Sequence, residues 1–484
     1  MNEKYLIGVD LGSQSAKVAI FDLDGNVVSE GKERLRPTNL PAPGKVEHPD
    51  DDLWDSVAAA SREAMTQFTG HPESIAGIGL CTIRFCRALL KEDGTLAAPV
   101  MSWMDERVSQ PYEHTQPDVK YVTTSSGYIT HRFTGEFRDT AANYQGMWPI
   151  DTDTWDWSES DRIIDEFKIP REMLFTLQNP GTVLGRVTKS AAEVTGIPEN
   201  IPVVATANDK AVEALGSGTL SENTALVSLG TYIAGMIHGK TNPKNVNHFW
   251  TNFAAMPYEY LYESNGIRRG MWTVSWFKEL LGKELVKKAD QLGMSPEEYL
   301  DMEAQENVPA GSDGLMTVLD WLAPPDQPFK KGMMIGFDGR HTRAHIYRSI
   351  LEAIALTMKT HVEAMCKELD ADLKDIVITG GGSNGDLMMQ IFADVFGLPA
   401  KRNVINGAAS LGASINAAVG LELYSSYEEA IEHMVKIRDT FHPESDTHEF
   451  YDQLNKEVFQ QITASTDGVL KRSYDLFRSW DSKS

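Results

Sequence analysis

Asp10 ends the apolar run Leu6-Ile7-Gly8-Val9 and is followed by a small polar turn, Gly12-Ser13-Gln14-Ser15, with Lys17 just beyond. Such a turn can present backbone N–H groups and hydroxyls to an anion, Lys17 adds positive charge, and Asp10 suits a magnesium ion held through water. The same residues also make an ordinary polar hairpin capped by an Asp. A second small turn, Gly230-Thr231, follows another apolar run, Thr224–Leu229. Gly380-Gly381-Gly382-Ser383-Asn384 sits between Ile376–Thr379 and a helical pattern from Leu387. Three glycines let a nucleotide approach the backbone, or simply connect strand to helix. Asp209, after Asn208, stands between Pro202–Thr206 and a helical stretch, so it reads as a general base for a hydroxyl or as a helix cap. Arg84 and Arg87 mark the end of the run Ile75–Cys81. They suit a hydroxyl-rich or acidic substrate, or pair with acids at a domain interface. Trp103-Met104-Asp105-Glu106-Arg107 supplies an aromatic wall and a hydroxyl acceptor, or a core Trp beside surface charges.

The elements that must carry these groups follow from pattern. Two strands joined by a tight turn open the chain, and a third begins at Val27. A helix is expected from Asp52 to Phe68 and a buried strand over Ile75–Leu80. The stretch from about 108 to 170 is polar, aromatic and weak in period, so it reads as an irregular subdomain. Strand, small-residue turn and strand then recur about 220 residues after their first appearance, which suggests an internal duplication. A long half-buried helix is expected over 344–365, helices over 387–396 and 408–419, and an amphipathic helical tail after about 442. The pattern predicts α/β architecture in two lobes of similar build, divided near 240.

Composition narrows the function. The 484 residues include 45 Lys+Arg and 69 Asp+Glu, a net charge of −24 that disfavours nucleic acid and anionic membrane as partners. Three cysteines with no C-x-x-C pair exclude a disulfide framework. No basic n-region with an apolar h-region opens the chain, and no apolar run reaches the length of a membrane span. A cytoplasmic enzyme is expected. None of the four Gly-Lys pairs has a Gly five positions before its own, so a P-loop is absent and phosphate must be held another way.

Taken in order, Asp10-x-Gly12-Ser-x-Ser15, Trp103-x-Asp105-x-Arg107, Asn208-Asp209, Gly230-Thr231 and Gly380-Gly381-Gly382 form a pattern. With Arg348-Ser-Ile-Leu-Glu352 and Gln390–Pro399, it resembles the FGGY family of carbohydrate kinases over essentially the whole chain, and more closely an enterobacterial branch of it. The resemblance implies the actin/Hsp70-like (ribonuclease H-like) duplicated fold, with mixed five-stranded sheets and a cleft between an N-terminal sugar-binding lobe (1–240) and a C-terminal nucleotide-binding lobe (241–484). It implies ATP and magnesium as cofactors. Asp10 would be the metal-associated acid, and Gly12, Ser13, Gln14, Ser15 and Lys17 the first phosphate loop. Gly230 and Thr231 would form the second loop, and Gly381, Gly382 and Ser383 would contact the nucleotide. Asp209 would be the catalytic base, while Arg84, Trp103, Asp105 and Asn208 would line the sugar pocket. The substrate would be a ketose, polyol or sugar acid, with Arg84 leaning towards an acid or a particular hydroxyl array. Where many members carry Gln-Met-His-Gly, this chain reads Thr82-Ile83-Arg84-Phe85. Members often form homodimers, and no interface signature is evident. Two rival readings remain: an Hsp70/actin-like ATPase, and a non-catalytic sugar-sensing homologue.

Overall fold

The computed structural model describes residues 3–324 and 326–481. Its first sheet is built from β1 (Tyr5–Leu11), β2 (Ser15–Asp22), β3 (Val27–Arg34), β4 (Ile75–Thr82), β5 (Val183–Arg186) and β6 (Pro202–Ala205), in the order β5-β6-β4-β1-β2-β3. Leu6, Ile7, Val9 and Leu11 are fully buried, as expected of a central strand covered on both faces. β1 pairs antiparallel with β2 and parallel with β4, and β4 pairs parallel with β6. α1 (Asp52–Gln67) packs against β2 and β3.

The second sheet repeats this plan. It contains β7 (Thr224–Leu229), β8 (Ile233–Gly239), β9 (Phe249–Phe253), β10 (Tyr260–Ser264), β11 (Asp375–Thr379), β12 (Ala400–Asn403) and β13 (Ile437–Phe441), ordered β9-β10-β8-β7-β11-β12-β13. β7 pairs antiparallel with β8 and parallel with β11, which pairs parallel with β12, as β1 does with β2, β4 and β6. In both sheets the strand beyond, β5 or β13, is antiparallel. The expected duplication is therefore a duplication of topology. The sheets hold six and seven strands rather than five, because β5, β13 and β9 lengthen the edges. The changeover from one sheet to the next falls between Ala205 and Thr224, so a division near 240 comes after β8.

Between β4 and β5 the chain is more ordered than its weak period suggests. It includes α2 (Ser125–Thr134), whose Tyr128, Ile129 and Phe133 are fully buried. The lobes are joined through α3 (Asp209–Gly216) and α6 (Ala409–Gly420), which pack on each other, and α6 also lies on β1 and β4; α4 (Arg343–Leu369) and α5 (Asp386–Phe396) pack together in the second lobe. α6 is built mostly of small residues, and glycine is required beneath it. A Cβ on Gly8 would lie 1.9 Å from the Ser410 carbonyl oxygen, and one on Gly79 1.8 Å from that of Ala413. The amphipathic tail forms helix over 445–454 and in α7 (Gln460–Asp481). Among the described residues, no helix is long and apolar enough to cross a membrane.

Candidate active site

Three carboxylates from two elements converge where the sheets meet. Asp10 lies near the end of β1, and Asp209 and Glu213 lie one turn apart on α3. Burial, then Asp209 and Glu213, push the Asp10 carboxyl up to about 7, with Lys17 opposing. The Cys81 thiol donates to Asp10 Oδ1 at 3.8 Å. Asp209 is also raised, chiefly by burial, against the opposing charges of Arg84 and Lys210. Its Oδ1 lies 3.4 Å from Arg84 Nε.

Asn208 performs the capping role. Its Oδ1 accepts from Ala211 N at 3.1 Å, and its Nδ2 donates to Ala142 O and to Asn252 Oδ1 on β9. Every polar atom of this buried side chain is thus engaged in holding α3 against both lobes, leaving none for a sugar.

Glu213 ties α3 to the turns at Gly230 and Gly380. Its Oε1 accepts from Ser228, two residues before Gly230, at 2.8 Å and from Thr379, next to Gly380, at 2.7 Å. Lys210 Nζ donates to Glu213 Oε2 at 2.9 Å and to Ser228 Oγ at 2.8 Å. Burial alone would raise Glu213, but Lys210 and the two hydroxyls outweigh it and hold the carboxylate below its ordinary range. Glu213→Leu strands the Lys210 charge, so we expect a loss of about 3–5 kcal/mol, partly recovered by adding Lys210→Met. Chemical denaturation of the single and double variants checks this.

Gly12 N donates to Ser15 O at 3.0 Å, leaving Ser13 and Gln14 exposed at the tip. Lys17 is 3.5 Å from Glu30 and so is partly neutralised. Thr231 is exposed, and Gly381 has open space where a Cβ would stand. Gly380 has φ +82°, a conformation that favours glycine. Gly382 packs between Met271 and Leu229, while the buried Ser383 hydroxyl donates to Gly380 O at 2.8 Å. Ser383 therefore braces the loop, and Arg402 locks it further by donating to the carbonyls of Ser383 and Asn384.

In the Trp103–Arg107 segment the charged pair is engaged within the fold. Asp105 is fully buried, accepts from Val46 N and from the Arg107 guanidinium, and caps the turn that follows. Trp103 is 48% exposed. Neither the carboxylate nor Arg107, which also pairs with Glu47, is left free for a hydroxyl.

Arg84 pairs across the lobes: its Nη1 and Nη2 donate to Glu263 of β10 at 2.7 and 3.3 Å, as the interface-pairing alternative expects. The guanidinium lies over Trp250 of β9 and Phe85, at 5.0 and 5.5 Å from the ring centroids. Phe85 has φ +65°, a strained value for an aromatic residue that the surrounding packing must hold. Gln145 donates to Thr251 O at 3.3 Å, and its buried Oε1 has no partner. Lys210, Glu213, Glu263, Trp250 and Gln145 were not singled out in the sequence. The i,i+4 spacing of Asp209 and Glu213 was the one available signal.

Family models match most of the chain. The N-terminal domain of the FGGY family of carbohydrate kinases matches residues 5–120 and 108–216, and the C-terminal domain matches 225–421. The chain belongs to the FGGY family of carbohydrate kinases. Within this kinase family it is 55% identical over 476 residues to an uncharacterised sugar kinase, YgcE, of Escherichia coli K12, covering 98% of this chain and 96% of the relative. It is 26% identical to the autoinducer-2 kinase of Escherichia coli SMS-3-5, over 96% of this chain and 95% of that one. The crystal structure of xylulose kinase from Rhodospirillum rubrum superposes with a TM-score of 0.83 at 24% identity, covering 97% of this FGGY kinase and all of the other chain.

Proposed function

We propose that this carbohydrate kinase transfers the γ-phosphoryl group of ATP to a hydroxyl of a small carbohydrate, with Asp209 as the general base. The observation that carries the reading is the placement of Asp209. It sits at the N-terminus of α3 beside Arg84, and Glu213 one turn further links that helix to both nucleotide-lobe turns. The substrate hydroxyl gives its proton to the Asp209 carboxylate as its oxygen attacks the γ-phosphorus. The bond from that phosphorus to the β,γ-bridging oxygen breaks, and ADP leaves. Backbone N–H groups of the turns at 12–15 and 230–231 would receive the phosphate oxygens, and the open Gly381 would admit the nucleotide.

Among the described residues, no cluster of three or more His, Cys, Asp or Glu is arranged to hold a metal unaided. The acid-crowded Asp10 fits the other mode, in which magnesium is held by one carboxylate, water and the nucleotide phosphates. Bound there, magnesium would supply charge neutralisation at the phosphates.

Coupled ADP production with ATP and magnesium, against a panel of ketoses, polyols and aldonic acids, tests the reading. A kinase releases ADP only with an acceptor present. Hydrolysis that ignores every carbohydrate points to an Hsp70-like ATPase, and silence in all conditions to a sensing homologue.

A further inference from the structure

Arg84 invites an acidic substrate, but its surroundings argue the opposite. Glu263 is only 1% exposed and takes both terminal nitrogens of the guanidinium, while Asp209 lies against Nε. Lys210 is consumed by Glu213. A carboxylate placed beside Arg84 would find both terminal guanidinium nitrogens and the Lys210 ammonium already paired, and it would face the charge of Asp209. The free Oε1 of Gln145 is an acceptor, its orientation set by the amide's donation to Thr251 O. Gln145 adjoins Gly146, whose missing Cβ would stand 3.4 Å from the Phe85 ring. With Arg84 already paired, the Asp209 carboxylate favours a ligand that offers it an O–H donor over one that brings a further carboxylate.

Building on the kinase reading, we propose that Glu263 is a charge filter. By holding Arg84 neutralised across the lobes, it restricts the acceptor to uncharged polyhydroxy compounds and excludes sugar acids. Glu263 acts through Arg84 and is thus a positioning residue for specificity. It also comes from the second lobe, so the filter is complete only when the lobes are together.

The test compares kcat and KM for neutral ketoses and polyols with those for the matching aldonates, in the wild type, Glu263→Gln and Glu263→Asp. The wild type should favour neutral acceptors by at least ~100-fold in kcat/KM, and aldonates should inhibit it weakly. Glu263→Gln, nearly isosteric, frees one guanidinium face. It should narrow that ratio by ~10-fold or more, chiefly through a lower KM or Ki for aldonates, and Glu263→Asp should restore the wild-type ranking. A wild type that prefers aldonates, or a Glu263→Gln enzyme that loses both classes equally, overturns the filter. If Glu263→Gln does not fold, the wild-type aldonate Ki decides alone: a value at or below the KM of the best neutral acceptor overturns it. If ADP is released with neither class, the kinase reading falls and takes the filter with it.

Discussion

Asp209→Asn should lower kcat by about 10²–10⁴-fold, the usual contribution of a positioned general base, and leave nucleotide affinity unchanged. The substitution is isosteric, and Arg84 keeps its bidentate partner Glu263, so no buried cation is stranded. Asn208, not Asp209, caps α3, so the helix keeps its start. Steady-state kinetics with a saturating acceptor, beside calorimetric binding of ADP, separate the two effects. A kcat within threefold of wild type would mean that another group takes the proton.

Asp10→Asn should make the protein more stable at pH 8 while removing most of its activity. The folded carboxyl sits at about 7, well above its unfolded value, because it is buried among other acids. The folded state therefore binds the proton more tightly, and stability from this group falls as pH rises from about 4 towards 7, the full cost being present above that window. Replacing the acid by an amide removes the cost, a gain on the order of 1–4 kcal/mol at pH 8 that shrinks towards zero near pH 4. Activity moves the other way on the proposed role of Asp10 as the metal-associated acid. Urea denaturation of both proteins at the two pH values, with kinetics over a magnesium titration, gives both readouts. Equal stability at pH 8, or full activity, contradicts the assignment. A site that holds like charges together at a stability cost is what a functional centre leads one to expect.

How far the sequence could be read depended on how local each feature is. The β1–β2 and β7–β8 hairpins are set by short apolar runs and small turns, so their strands and the duplication were legible from residues a few positions apart. The edge strands were not: β5 and β9 are short and weakly patterned, and only their pairing partners make them strands. Asp10, Asp209 and the turns at 12–15, 230–231 and 380–383 stood out as candidates because each lies at or just beyond the end of a buried strand, where position itself suggests chemistry. The pocket wall was missed for the opposite reason. Arg84 and Glu263 are 179 residues apart, and nothing in Tyr-Leu-Tyr-Glu-Ser announces a partner in the other lobe. Asp105 was ambiguous because a buried Asp–Arg cap and a sugar-binding Asp use the same residue types. Asn208 was ambiguous likewise, being a cap and an inter-lobe tether beside Asp209. The case against an ATPase then rests on Phe85, Trp250, Gln145 and Glu263 rather than on Trp103–Arg107.

The central claim is that the phosphoryl group goes to a carbohydrate hydroxyl and not to water. Phosphorus-31 NMR of the reaction with ATP, magnesium and the best acceptor tests it most directly. The account predicts a new phosphomonoester resonance that grows in step with ADP in the wild type and is lost in Asp209→Asn. Inorganic phosphate as the sole product, formed at the same rate without the acceptor, would contradict it.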